Sequence, residues 1–240
     1  MQTPQGTPAP QASATVDPYS RTRFPVWPLT ATLAVQTFAT AAAYSIPAVA
    51  PEVARHVGVP PALVGVFISM VYGVGILSAI LSPAVIYTRG AVRVCQAVCL
   101  ATLAMLATSS LGSTAAIAIS ACLMGLAYGA TAPSSTHLLV PLTPPAHMNV
   151  VLSLRQIGVP LGGMLAGLVM PPLALRFGWQ TSLLIQLIPT FALMVLLETV
   201  RRKWDARSPT AGPHAPSLRS MLGLLSHSAA LRRLSFAAFV

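Results

Sequence analysis

Six long apolar runs, separated by short polar connectors, make up most of the chain. They cover residues 26–50, 62–87, 92–111, 114–140, 150–173 and 181–200. Each run has roughly the 20 residues that an α-helix needs to cross about 30 Å of hydrocarbon. The connectors, 51–61 among them, contain Pro, Gly and charged residues, which are typical of helix ends and turns. The pattern predicts an all-α integral membrane protein whose centre is a bundle of six transmembrane helices.

The segments on either side of the six runs are more polar. Residues 1–25 are rich in Pro, Ala, Thr and Gln, and they lack the apolar core of a cleavable signal peptide. This composition predicts a disordered N-terminal segment. After the sixth run, residues 201–230 form a basic segment rich in Pro and Ser, and residues 231–240 have the apolar character of the start of a seventh span.

Composition supports a membrane protein and excludes some other classes. Hydrophobic residues make up 55% of the chain and charged residues only 8%, against roughly a quarter charged in soluble domains. Small residues are abundant and aromatic residues reach only 6%, which favours packed helices over an outer-membrane barrel. The net charge of +10 is spread between the apolar runs. A nucleic-acid-binding domain would concentrate it on one soluble face, so no nucleic-acid partner is predicted.

The three cysteines give no sign of a metal or cofactor site. Cys95, Cys99 and Cys122 all lie inside apolar runs, and none has the spacing of a zinc or redox motif. We therefore expect packing thiols, with no bound metal and no cofactor.

Positive charge is distributed unequally between the two sides of the predicted bundle. Only Arg55 and Arg176 lie in the connectors on one side. The other side holds eleven basic residues: Arg21, Arg23, Arg89, Arg93, Arg201, Arg202, Lys203, Arg207, Arg219, Arg232 and Arg233. Short loops rich in Lys and Arg remain in the cytoplasm. The sequence therefore predicts a multi-pass protein of the bacterial inner membrane, with both the N-terminus and residues 201–230 in the cytoplasm.

Arg155 is the only charged residue well inside one of the six runs. A charge at the bilayer centre costs about 2.5–3.5 kcal/mol on insertion scales, so such residues usually face a bundle interior or a wet cavity. The alternative is that Arg155, about 8 Å from the start of its run, extends back to the cytoplasmic headgroups. In the cavity, a lone cation favours an anionic or electron-rich substrate.

Other polar residues form stripes at helical spacing. Gln36, Thr40 and Tyr44 follow one another at intervals of four residues, and Tyr128, Thr131 and Ser135 lie on one face of the fourth run. Such stripes line a cavity or form hydrogen bonds between helices, and for Thr and Ser the second interpretation is favoured. The residues predicted to bind substrate are Arg155, Gln156, Gln36, Tyr44 and Tyr128. Tyr72 and Gln186 are further polar positions in the second and sixth runs.

The fifth run has two smooth sides. At 100° per residue, Gly158 and Gly162 share one face, whereas Gln156, Gly163 and Gly167 lie nearly opposite. Small residues spaced in this way allow another helix to approach closely, so we expect a neighbour on each side. Pro160 removes a backbone donor and favours a kink that would suit a moving helix.

Six spans, a basic central loop and the start of a seventh span together resemble the N-terminal half of a major facilitator superfamily transporter. Between spans two and three, that family usually has a Gly-x-x-x-Asp-Arg-x-Gly-Arg-type loop. Here "PAVIYTRGAVRV" keeps Gly90 with Arg89 and Arg93, and Tyr87 stands where the acidic residue is usual. The resemblance implies a gating role for Gly90 and Arg93 and leaves the family's usual salt bridge in doubt.

Two further motifs bear on the branch of the family. Ala121 occupies the position at which drug and proton antiporters carry an arginine, which argues against that branch. The segment "LRQIGVPLGG" looks more like the "KQTGVPxGG" pattern of bacterial transporters related to the cyanate and nitroimidazole carriers.

The resemblance implies transport of a small solute by alternating access between two six-span bundles. We expect the solute to be an organic anion, with Arg155 as its counter-charge. The second bundle would come from the rest of a longer chain or from another copy. The alternatives are a truncated, non-transporting remnant and, in another class, an intramembrane enzyme. "GATAPSSTHLL" contains Ser and His but lacks the Gly-x-Ser motif of rhomboid-type proteases, so no enzyme activity is expected.

Overall fold

The structure, a computed structural model, describes residues 24–205, and all the regular secondary structure in that range is helical. The α-helices are α1 (Val26–Ala48), α2 (Ala50–Val57), α3 (Val64–Arg89), α4 (Ala91–Ser109), α5 (Thr114–Leu139), α6 (Met148–Gln156), α7 (Gly158–Phe177), α8 (Trp179–Ile185) and α9 (Leu187–Asp205). Short 3₁₀ turns occupy Pro61–Leu63, Val140–Leu142 and Pro145–His147. The expectations for residues 1–23 and 206–240, including the start of a seventh span, lie outside the described residues.

The described helices have the dimensions of membrane spans. Five stretches are long and apolar enough to cross a bilayer, and there are six if α1 and α2, which are bent by 60° relative to each other, form one span. Large apolar side chains also face outward, for example Leu77, Leu168 and Ile188, which are 61–72% exposed. That arrangement suits lipid and not water. The predicted class, an all-α membrane bundle, is confirmed.

The connector after the first run is helical, although the sequence analysis placed breakers there. Residues 50–57 form α2. Pro51 stands in the first turn of α2, where the amide hydrogen that proline lacks would have no helical partner in any case. Gly58 ends the helix with a φ of 73°, in the left-handed region that glycine adopts at low cost.

The fifth span consists of α6 and α7, and the sixth span consists of α8 and α9. Each span is interrupted once, three residues before a proline. The interruption between α6 and α7 lies at Ile157, and that between α8 and α9 lies at Gln186. Each is three residues before a proline, Pro160 or Pro189. A proline ring removes one backbone hydrogen bond and collides with the carbonyl four residues earlier. The distortion predicted at Pro160 is therefore found one turn ahead of it.

The first helix lies at the centre of the bundle. It packs against α7, α5, α6, α4 and α9, while α5 lies between α3 and α4. Among residues 31–50, Tyr44 alone is classed as exposed. The closest crossing joins α3 to α5 through Gly75, Gly125 and Gly129, where a Cβ on Gly129 would collide with the backbone of Gly75. Small residues allow this approach and so provide van der Waals contact between spans.

Candidate functional site

Arg155 points into the bundle from the last turn of α6. Its side chain is only 5% exposed. Nη2 donates a 2.8 Å hydrogen bond to Oε1 of Gln36 on α1, and Nη1 donates a 3.2 Å bond to Oε1 of Gln156. Gln36 is ten residues beyond the start of α1, or about 15 Å along the helix axis. In this conformation the guanidinium lies against α1 inside the bundle, near the middle of that helix and not at its end.

The charge of Arg155 is not balanced by a neighbouring carboxylate. Within residues 24–205, no Asp or Glu oxygen lies within 4.0 Å of the guanidinium, and its Nε has no hydrogen-bond partner among the described residues. Only neutral amide oxygens accept its two hydrogen bonds. A buried ion that is hydrogen-bonded but not charge-paired is costly. The site therefore holds a buried positive charge that the described residues do not compensate.

The Gln36 side chain is held by a second contact on its own helix. Its Nε2 donates a 3.1 Å hydrogen bond to Oγ1 of Thr40. With the amide nitrogen used in this way, the oxygen faces Arg155, which has only donors to offer. The predicted stripe on α1 is thus a connected row at this point, running from Arg155 through Gln36 to Thr40.

Only one of the two glycine faces of span five is packed in the described residues. A Cβ on Gly158 would lie 2.8 Å from Cβ of Gln36, and one on Gly162 would lie 2.5 Å from the Thr37 carbonyl oxygen. Gly158 and Gly162 therefore fit α7 closely against α1, next to the Arg155 contact. Neither Gly163 nor Gly167 has any atom within 4 Å of the position a Cβ would take.

Three tyrosines from three helices meet one helical turn beyond the end of this polar row on α1. The hydroxyls of Tyr44 on α1 and Tyr72 on α3 are 3.3 Å apart. The rings of Tyr72 and Tyr128, which is on α5, pack edge to face with centroids 5.7 Å apart at 86°. We call these three residues the tyrosine cluster. Tyr72 was not among the predicted site residues, although it contacts both tyrosines that were.

Comparison of the sequence with models of known protein families decides the family. A model of the Major Facilitator Superfamily matches residues 32–240. The chain belongs to this superfamily. A comparison with curated proteins returns no match.

The solved structures similar to this chain include crystal structures of a mutant of the peptide transporter POT. The one in complex with alafosfalin is 20% identical, with a TM-score of 0.60 over 90% of this chain and 46% of that chain. The one in complex with sulfate is 19% identical, with a TM-score of 0.60 over 89% of this chain and 45% of that chain. This chain thus spans less than half the length of those transporters. Together with the family match, the likeness confirms the N-terminal half of a major facilitator fold.

In this major facilitator chain, the loop between spans two and three is a single residue. Gly90 ends α3 and precedes α4 with a φ of 90° and a ψ of 153°, a conformation that L-residues rarely adopt. Arg93 then lies 3.8 Å from Glu198 on α9, which also accepts hydrogen bonds from Arg201 at 3.0 Å and Gln96 at 2.8 Å. The acidic partner of Arg93 is therefore on span six, whereas the family's motif has its acid in the loop.

A second polar contact holds α1 near its C-terminal end. Ser45 and Gln186 exchange hydrogen bonds of 2.8 and 3.0 Å, and Gln186 also contacts the sulfur of Met170. Gln186 occupies the interruption between α8 and α9, so this contact joins spans one, five and six. Its sequence signal is a lone glutamine in an apolar run.

Two of the three hydroxyls in the stripe on the fourth span bond to their own helix. Thr131 and Ser135 are fully buried, and each donates to a carbonyl one turn earlier on its own helix, at 2.8 and 2.7 Å. Gln156, in contrast, is exposed. Within residues 24–205, no group of three His, Cys, Asp or Glu residues could hold a metal ion.

Proposed function

We propose that this chain forms half of a transporter that moves a small organic anion by alternating access, with Arg155 as the counter-charge. One observation carries the proposal. Arg155 is buried at membrane depth, bonded only to neutral amides, with no carboxylate within 4.0 Å among the described residues. A substrate carboxylate would supply the missing charge and match the fork of the guanidinium with two parallel hydrogen bonds.

Gln36 supports this role as an exchangeable acceptor. In the structure its amide oxygen accepts from Nη2, and a carboxylate could replace it there, because charge-assisted hydrogen bonds are roughly twice as strong as neutral ones. Gln156 would contact the same anion from the exposed side of α6. Gly158, Pro160 and Gly162 would set the close contact with α1 and the interruption at Ile157, about which span five could bend.

The test is uptake of labelled carboxylates by the complete protein in proteoliposomes, comparing Arg155→Gln with Arg176→Gln. Arg176 is exposed at the outer end of α7, so it is the matched control for loss of one positive charge. We expect Arg155→Gln to lower uptake at least about tenfold, since hydrogen bonds to charged groups contribute about 1.5–3 kcal/mol. We expect Arg176→Gln to transport like the wild type. Full activity of Arg155→Gln at equal reconstituted amounts would disprove the counter-charge role.

We further propose that a second six-span bundle completes the transporter, as the remainder of a longer chain or as another copy. The supporting observations are the 46% coverage of the solved transporter and the open face at Gly163 and Gly167. The intact mass of the native protein decides between the two sources. A mass near 24.9 kDa with a cross-linked dimer favours a second copy. About twice that mass favours one long chain, and an inactive 24.9 kDa monomer would favour a non-transporting remnant.

The proposed orientation is an inner-membrane protein with its N-terminus in the cytoplasm. It rests on the unequal distribution of Lys and Arg between the two sides. Single cysteines introduced at Arg55 and Arg176, in a variant without the three native cysteines, should react with an impermeant thiol reagent added from the periplasmic side. Reaction from the cytoplasmic side alone would reverse the orientation. The branch of the family related to the cyanate and nitroimidazole carriers stays a prediction from the "LRQIGVPLGG" segment.

A further inference from the structure

We propose that the transported anion also carries an aromatic ring, and that the tyrosine cluster formed by Tyr44, Tyr72 and Tyr128 binds that ring. This inference rests on the proposed function, because it takes Arg155 as the group that binds the anionic end. It adds a second recognition element and so narrows the substrate class to arylalkyl carboxylates and their close relatives.

The cluster is built from parts of the bundle that are far apart in sequence. One tyrosine each comes from spans one, two and four, and contacts of 3.3 Å and 5.7 Å join them into one aromatic surface. The surface is accessible, since Tyr44 is 38% and Tyr72 46% exposed. A small gap lies between these rings and the apolar side chains of Phe67, Ile68 and Val71. The rings therefore have free faces beside an apolar wall.

The depth of the cluster is unusual for tyrosine. Tyr72 is eight residues beyond the start of α3, and Tyr128 is fourteen beyond the start of α5, which is about 12 and 21 Å along the helix axes. Tyrosine in membrane proteins is enriched at the two interfaces, where its hydroxyl meets water. At this depth the hydroxyls of Tyr72 and Tyr128 suit contact with a polar cavity better than contact with lipid tails.

The positive charge of Arg155 bears on whether the tyrosine rings would bind a cation or another aromatic ring. Aromatic faces bind either cationic groups or the edges and faces of other rings. The cationic option is disfavoured, because the buried Arg155 of the same bundle has no carboxylate within 4.0 Å among the described residues to compensate its positive charge. An anion with an aromatic ring is compatible with both elements.

The spacing of the two elements indicates the shape of the ligand. Gln36, which bonds Arg155, and Tyr44 are eight residues apart on α1, or about 12 Å along its axis. A carboxylate attached directly to a ring would be short for this distance. A ring joined to the carboxylate by a chain of two or so carbons comes closer to spanning this axial separation once the hydrogen bond to Arg155 and the ring contact at the other end are added.

The experiment compares two acids that differ in aromaticity and are similar in size and charge, 3-phenylpropanoate and 3-cyclohexylpropanoate. Each is tested for binding to the complete purified protein and for inhibition of labelled anion uptake. We expect the phenyl acid to bind about three- to tenfold more tightly, the range expected for one favourable ring pair. The preference should disappear in Tyr72→Leu and persist in Tyr72→Phe.

Tyr87→Leu is the matched control. Tyr87 packs edge to face on His137 at 5.1 Å, at the end of α3 far from the cluster, so its loss should leave the ring preference unchanged. The thermal midpoint of each variant, measured in the same detergent, verifies that it is folded.

Each outcome supports or overturns the inference. Equal affinity of the wild type for the two acids, or a phenyl preference that survives Tyr72→Leu, overturns it. So does a transporter that needs Arg155 for another anion but binds neither acid; the proposed function then stands and the ring site does not. If neither acid binds and Arg155→Gln has no effect on any uptake, the proposed function fails as well.

Discussion

The two faces of span five differ in what they contact, although both are lined with glycine. On one face, Gly158 and Gly162 leave no room for even a methyl group against α1. On the other face, a Cβ built on Gly163 or Gly167 would have no neighbour within 4 Å among residues 24–205, and Gln156 is exposed beside them. Glycine therefore allows close packing against α1 on one face, whereas on the other face it borders open space.

The difference separates a face that this bundle fills by itself from a face that would be free to contact the second bundle we propose. The filled face brings α7 to α1 and places Arg155 against Gln36. Glycine on the open face has no such role within the described residues. A glycine in a helix costs roughly 0.5–1 kcal/mol relative to alanine, so the open face carries a cost that an approaching second bundle would offset. The comparison can be tested by substitutions that are matched across the two faces.

The largest effect is expected from Gly162→Val compared with Gly163→Val. A side chain at Gly162 meets backbone atoms of Thr37 and Ala41, which cannot rotate away, so we expect destabilisation of about 3 kcal/mol or more. Gly163→Val should leave folding nearly unchanged. Thermal midpoints and the monodisperse yield in detergent measure both. Equal loss in the two variants would contradict the assignment of faces. Normal folding of Gly163→Val with lost transport would place a moving partner on the open face.

A smaller effect is expected from Gln36→Leu compared with Gln156→Leu. Removing the Gln36 amide leaves Nη2 of a buried arginine without its 2.8 Å acceptor, which should cost about 1.5–3 kcal/mol. Gln156 is exposed and its bond is longer, at 3.2 Å, so its replacement should stay within about 0.5 kcal/mol. Thermal unfolding of the purified variants gives both values. A larger loss at Gln156 would mean that the open face holds the arginine in place.

The smallest effect, of opposite sign, is expected from Gly167→Ala. With open space around the added methyl group, helix propensity alone should raise stability by about 0.5–1 kcal/mol. Gly158→Ala is the control and should lower stability, because its Cβ would meet the Gln36 side chain at 2.8 Å. Differential scanning fluorimetry of the two alanine variants distinguishes the signs. Destabilisation by Gly167→Ala would show that a partner already covers that face.

The periodicity of the sequence predicts where the helices lie and which residues share a helix face, because both depend only on local helix geometry. The six spans agree with the helices to within a few residues at most ends, and the division of the glycines into two faces follows from 100° per residue. Which face is filled depends on the helix lying next to it. That is a tertiary property, and no spacing within span five contains it.

The departures have similar physical causes. Pro51 looks like a breaker in the sequence, yet in the first turn of a helix it is compatible with α2. Tyr72 was noted but not assigned to the site, because its partners Tyr44 and Tyr128 are on other helices. The Gly75 to Gly129 crossing was missed for the same reason, since the two residues lie on separate spans. Thr131 and Ser135 bond their own helix, an option that their stripe did not exclude.

The two polar contacts on α1 have a mechanical consequence. Gln36 and Ser45 are nine residues apart, which at 100° per residue places them on opposite flanks of the helix, on either side of its contact with α7. If α1 rolled about its axis, the bond from Gln36 to Arg155 and the bond from Ser45 to Gln186 could not both keep their lengths. The two contacts together therefore resist rotation of α1 relative to spans five and six.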